Sequence, residues 1–179
     1  EDVLAALDEA LRQFPCIDAG RQGMLGGSYG GYMATWLASH TNRFRAICSE
    51  RAVNNMLTEE FTADCSTTFI TETGVNHLDD PQELLRMSPI TYVRDIATPI
   101  LILHSEDDLR CPISQAEELF VALRLLDKPV EFLRFPAESH ELSRAGSPVH
   151  RKQRQEAIEE FFAKHLRSEE HTSELQSLR

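Results

Sequence analysis

The chain has 179 residues, a net charge of −11, 41% hydrophobic and 26% charged residues. That length suits one domain with a sizeable core. The acidic balance argues against nucleic acid or an anionic membrane surface as a partner, since both need basic patches, and no apolar run is long enough to span a bilayer.

In chain order, Val3, Leu4, Leu7 and Leu11 share one face of a first helix, with Asp2 as a candidate N-cap and Pro15 as its terminator. Arg21 to Leu25 is short and ends in apolar residues, as a buried strand does. It runs into Gly26-Gly27-Ser28-Tyr29-Gly30-Gly31. This stretch holds G-x-S-x-G, the pattern of a nucleophile elbow, in which a serine sits on a tight strand-to-helix turn. Glycines flanking that turn let strand and helix approach. Tyr29 to Ala38 continues as a helix, and Phe44 to Ser49 reads as a second strand. Residues 51–80 are polar and aromatic by turns and read as an irregular excursion, with Asn54, Phe61 and Phe69 as candidate pocket wall. Asp80-Pro81 opens a short helix through Leu85, and Ser88-Pro89 opens a single turn. Pro99 to His104 is an uninterrupted apolar run, the pattern of a strand covered on both faces. Ser114 and Glu117 form an apparent capping box ahead of a helix carrying Leu119, Phe120, Leu123 and Leu126. Val130 to Phe135 is the last strand, and Ile158, Phe161, Phe162, His165 and Leu166 mark a final amphipathic helix. Strands alternating with helices define the class as α/β, with a mostly parallel sheet and flanking helices.

A serine hydroxyl needs a base, and the base needs a group to orient it. In open α/β sheets such groups sit on loops beyond the carboxyl ends of strands. After the Pro99–His104 strand come three acids, Glu106, Asp107 and Asp108; after the last strand comes His140. Their order, serine then acid then histidine, is the one this elbow requires. Acids after a strand are commonly turn formers and loop histidines are commonly just exposed. The conjunction with the elbow is what gives them weight. Residue types alone leave the three acids equivalent.

The segments GGSYGG (26–31), HSEDDLRCP (104–112) and FPAESHELSR (135–144) resemble those of the C-terminal catalytic domain of the prolyl oligopeptidase family, in its acylaminoacyl-peptidase and dipeptidyl-aminopeptidase branch. The resemblance runs from Glu1 to about Leu166. It implies an α/β-hydrolase fold and a serine peptidase acting on small peptides. It implies Ser28 as nucleophile, Asp108 as the acid and His140 as the base. It gives Arg110 the role of hydrogen-bonding the substrate's P2 carbonyl, and the backbone N–H of Tyr29 that of an oxyanion donor. The family usually has glycine where this chain has Ser105. The resemblance further implies that the second oxyanion donor, several N-terminal strands and a β-propeller lie outside this chain. The elbow strand would then have a bare apolar edge, and the isolated chain is expected to be unstable or inactive. An esterase or thioesterase on the same fold, or a non-catalytic module, is the alternative.

No metal or other cofactor is expected. His104 and Asp108 imitate an i, i+4 ligand pair but have no third partner, and His104 is read as seating the acid loop. His40, His77, His150 and His165 read as packing or surface residues, and Met33, Tyr32 and Trp36 as core. Cys16, Cys48, Cys65 and Cys111 lack metal-ligand spacing and read as reduced thiols of a cytoplasmic protein. The stretch from Arg167 to Ser177 matches the in-frame translation of a common sequencing adapter, so residues 167–179 are expected to be a non-native tail after a domain of residues 1–166. The oligomeric state stays open.

Overall fold

A four-stranded parallel sheet organises the protein, with strands in sequence order: β1 (Gly23–Gly27), β2 (Ala46–Glu50), β3 (Ile100–Ser105) and β4 (Val130–Phe135). The computed structural model describes residues 2–167, so the expected tail lies outside them apart from Arg167. The helices are α1 (Asp2–Gln13), α2 (Tyr29–His40), α3 (Met56–Thr62), α4 (Ser66–Thr73), α5 (Pro81–Arg86), α6 (Ser114–Leu125), α7 (Leu142–Ala145) and α8 (Pro148–Leu166), with a 3₁₀ turn over Pro89–Asp95.

Side chains alternate across a strand, and here the alternation divides the core in two. Ile47, Ile100 and Ile102 face Ala34, Leu37 and Ala38 of α2 and Ala116, Leu119 and Leu123 of α6. Cys48, Leu101 and Leu103 face Leu142 of α7 and Ile158 and Phe161 of α8. Every residue of β2 and β3 is buried, as the apolar run at 99–104 requires. The edges differ. On β4, Glu131 pairs with Lys164 at 2.7 Å, and Arg134 with Glu106 at 2.9 Å and Glu117 at 2.7 Å. Such charges discourage edge-to-edge pairing. On β1, Leu25 is 50% exposed and no described strand lies beyond it. Among the described residues, no helix is long and apolar enough to cross a membrane.

Two expectations are corrected. Residues 51–80 are not irregular: α3 starts on the Asn55 cap, whose side chain accepts the Leu57 N–H, and α4 ends at Gly74 in the left-handed region. The capping box at Ser114 does not form. Helix α6 starts a residue earlier, because Ile113 O already accepts the Ala116 and Glu117 N–H groups that a Ser114 cap would need. The Asp80 and Ser147 caps begin α5 and α8, each with proline next in line.

Candidate active site

The elbow is built by sterics. Ser28 sits at φ 60°, ψ −122°, between β1 and α2, and its N–H is held by Glu50 O at 3.0 Å. A Cβ on Gly26 would lie 1.9 Å from Gly30 O, and one on Gly31 would lie 2.6 Å from Glu50 O. A Cβ on Gly30 would meet nothing within 4 Å. The close approach therefore demands glycine at 26 and 31, rather than at both glycines of the G-x-S-x-G pattern. Left-handed backbone at a non-glycine residue is strain that the surroundings must hold in place.

The structure brings Ser28, His140 and Asp108 into one line beyond the carboxyl ends of β1, β4 and β3. His140 Nε2 is 3.0 Å from Ser28 Oγ, and His140 Nδ1 is 2.7 Å from Asp108 Oδ2. Asp108 is buried, and its other oxygen accepts the N–H groups of Arg110 and Cys111, both at 2.9 Å. A carboxylate so held on one side can only accept from the imidazole on the other. That assigns the Nδ1–H tautomer and leaves the Nε2 lone pair facing the serine hydroxyl. Glu106 and Asp107 do not reach His140. Glu106 pairs with Arg134, and the Asp107 N–H donates to Glu138 O at 3.0 Å, tying the acid loop to the histidine loop.

His104 donates from Nε2 to Cys111 O at 2.7 Å and lies 3.6 Å from Asp108 Oδ2. Burial holds its pKa below the ordinary imidazole value, so it stays neutral and seats the loop as expected. The histidine loop has its own brace. Glu138 accepts the Ser147 N–H at 2.9 Å and pairs with His150 Nδ1 at 2.7 Å, and those hydrogen bonds lower its pKa.

Tyr29 opens α2, so its N–H is one of the first-turn donors without an acceptor inside the helix. Arg110 is not free-standing: its Nε–H donates to Asp64 Oδ1 at 2.6 Å. Both Ser28 and Arg110 line a cleft of about 490 Å³, with Tyr29, Tyr32, Val53, Met56, Met87 and Cys111 among its walls. Tyr32 thus faces the cleft, its hydroxyl donating to Met87 O at 2.9 Å, instead of lying in the core. Met33 does pack on the core, and Trp36 stacks between Tyr32 and His40. The excursion supplies cleft walls through Val53, Met56 and Cys65, while the expected Asn54 and Phe61 are not among them. Asn54 is buried against Gln115, Phe61 stacks on His77, and the Phe69 side chain lies outside the described residues.

Three neighbours escaped the sequence reading. Arg51, at φ 40°, places NH1 3.4 Å from His140 Nε2 and NH2 3.2 Å from Ser143 Oγ. Glu59 is fully buried, and neither carboxyl oxygen has an N–H or O–H donor among the described residues. Its pKa is pushed up to about 8, first by desolvation and then by the charge of Asp108. Asp64 holds Arg110. Arg51 had one legible signal, a charged residue directly after a strand; Glu59 and Asp64 had none beyond their place in the excursion. Among the described residues, no three His, Cys, Asp or Glu side chains converge on a metal position.

The parallel sheet, the elbow and the loops at its carboxyl edge define the α/β-hydrolase class of fold. The sequence model of the prolyl oligopeptidase family matches residues 1–169, and the chain belongs to that family. It is 42% identical over 168 residues to the uncharacterized peptidase YuxL of Bacillus subtilis (strain 168), covering 93% of this chain and 25% of that protein. The solved acylaminoacyl peptidase of Pyrococcus horikoshii in its orthorhombic crystal form superposes with a TM-score of 0.89 at 34% identity, over 92% of this chain and 27% of that one. An acylaminoacyl peptidase in complex with Z-Gly-Gly-Phe-chloromethyl ketone superposes with a TM-score of 0.85 at 32% identity, over the same shares. The chain therefore spans about a quarter of the length of these relatives.

Proposed function

We propose that this chain carries the reacting groups of a serine peptidase that cleaves short peptides near their N-terminus, releasing an acylated amino acid or a dipeptide. The observation that carries this reading is the imidazole of His140 spanning Asp108 Oδ2 and Ser28 Oγ at 2.7 and 3.0 Å. Ser28 attacks the scissile carbonyl while His140 Nε2 takes the hydroxyl proton. The tetrahedral oxyanion forms beside the Tyr29 N–H. His140 then returns the proton to the leaving amine, leaving an acyl-serine that water hydrolyses by the same exchange. Asp108 keeps the imidazole in its tautomer and balances its charge. Arg110 binds the carbonyl of the residue before the scissile one. Apolar walls at Val53, Met56 and Met87 favour a non-polar side chain beside the scissile bond.

The test is covalent labelling of the serine. A fluorophosphonate probe should label Ser28, with the adduct located by mass spectrometry, and Ser28→Ala should abolish it. Labelling that persists in Ser28→Ala would overturn the assignment. Arg110→Ala then separates peptidase from esterase: peptide turnover should fall at least tenfold while p-nitrophenyl ester turnover holds. Peptide turnover that survives Arg110→Ala would favour the esterase.

A further inference from the structure

We infer that Asp64, in the break between α3 and α4, is a positioning residue that aims Arg110 at the substrate. The inference rests on the reading of Arg110 as the group that binds a substrate carbonyl. Two contacts from one residue carry it. The Asp64 N–H donates to Leu109 O at 2.8 Å, and Asp64 Oδ1 accepts from Arg110 Nε at 2.6 Å. Backbone and side chain of Asp64 thus grip consecutive residues of the acid loop.

The chemistry of the guanidinium makes that grip directional. Arg is a planar fork whose Nε–H shares one edge with a terminal N–H, while the remaining terminal N–H groups donate from the end and the far edge. With Nε engaged by Asp64, the plane is fixed and the terminal nitrogens have no hydrogen-bond partner among the described residues. Arg110 stands between the cleft that holds Ser28 and a smaller one of about 260 Å³ that holds His140 and Asp64. A free arginine there, half exposed, could swing toward either. Asp64 selects one pose.

Its loop also sets where the pose begins. The Arg110 N–H is bonded to Asp108 Oδ1, so the backbone that carries the guanidinium is pinned to the buried acid. Stem and tip are then both fixed, and the substrate carbonyl does not have to order a long side chain when it binds. Pre-ordering one such side chain is worth roughly two- to tenfold in affinity. The pair is exposed, so its direct contribution to stability is small, and the effect belongs to substrate binding instead. Asp64 is itself held ionised by the Arg110 guanidinium, which lowers its pKa.

The experiment is a mutant cycle in the longest gene product that carries this chain, assayed on an N-acyl dipeptide anilide and on p-nitrophenyl acetate, which has no second carbonyl. Asp64→Ala should raise KM for the anilide about five- to tenfold, leave kcat within about twofold, and leave acetate turnover unchanged. Asp64→Asn keeps an acceptor for Nε and should restore most of the loss. In an Arg110→Ala background Asp64→Ala should add nothing. Additive losses, or an equal fall on acetate, would show that Asp64 only supports the loop and would overturn the proposal. If Arg110→Ala lowers peptide turnover while Asp64→Ala is silent, the role of Asp64 fails and that of Arg110 stands. If Arg110→Ala is itself silent on peptides, the reading of Arg110 fails and this proposal falls with it.

Discussion

Replacing Glu59 by glutamine should stabilise the protein, and by an amount that grows with pH. Glu59 has no exposed surface, no N–H or O–H donor to either carboxyl oxygen among the described residues, and a pKa pushed from the ordinary 4.5 to about 8. The folded state therefore binds a proton that the unfolded chain releases above pH 4.5. For an acid whose folded pKa is raised, stability is complete below the unfolded pKa, falls as pH rises toward the folded pKa, and levels off above it. At pH 7 the unfolded chain has gained about 2.5 pH units of ionisation, worth about 3 kcal/mol at 1.36 kcal/mol per unit. Glutamine has nearly the same shape, does not titrate, and removes that term. Its amide is left without partners much as the neutral acid is, so the packing cost largely cancels in the comparison. The assay is urea denaturation of both proteins at pH 4, 5.5, 7 and 8.5. The difference in unfolding free energy should be small at pH 4 and reach about 3 kcal/mol at pH 7. Other titrating groups are common to both proteins and drop out of the difference. A difference that does not vary with pH would refute the reasoning, because Glu59 would then be ionised in the folded state or exposed to water.

Gly26→Ala should cost more than about 3 kcal/mol, since its Cβ would collide with backbone, whereas Gly30→Ala should cost under about 1 kcal/mol; equal effects in denaturation would refute the steric account of the elbow. Glu50 is buried and accepts both a 2.5 Å and a 2.7 Å bond from Arg154. Arg154→Met should therefore destabilise by about 3 kcal/mol, and adding Glu50→Gln should recover much of it; a loss under about 1 kcal/mol would show that the pair is not what holds α8 against β2. Leu25→Lys places a charge on the exposed edge strand and should reduce self-association measured by light scattering; unchanged association would show that the edge is not the sticky surface.

Steric and apolar demands were legible in the sequence, while polar matching was not. The elbow could be found because a chain with a strained serine and a backbone oxygen 1.9 Å from a Cβ position tolerates almost nothing but glycine. β3 could be found because a strand buried on both faces accepts only apolar residues until its last turn. The choice of Asp108 over Glu106 and Asp107 needed the resemblance, because it depends on which carboxyl oxygen meets the Arg110 and Cys111 N–H groups. Helix α3 was missed for a related reason. It is polar because it buries Glu59 and Glu60, with Glu60 accepting the His77 N–H at 2.8 Å, and the segment leading into it gives its Asn54 and Asn55 N–H groups to Gln115 of α6. A helix that buries its carboxylates carries no apolar period to read.

The same distinction orders the site. In the proposed mechanism the residues whose chemistry acts on the substrate, Ser28, His140 and Arg110, stand after strands in motifs. Those that act through them, Asp64 on Arg110 and Glu138 on the histidine loop, make one or two hydrogen bonds to particular partners. A single acceptor at 2.6 Å leaves no pattern in a sequence, yet it decides where a guanidinium points. On the proposed reading, the cleft's selectivity depends on α3 and α4 as well as on the motifs. Exchanging residues 51–80 for the matching segment of a relative should alter peptide preference and leave fluorophosphonate labelling of Ser28 intact, since none of the three aligned groups lies in that segment.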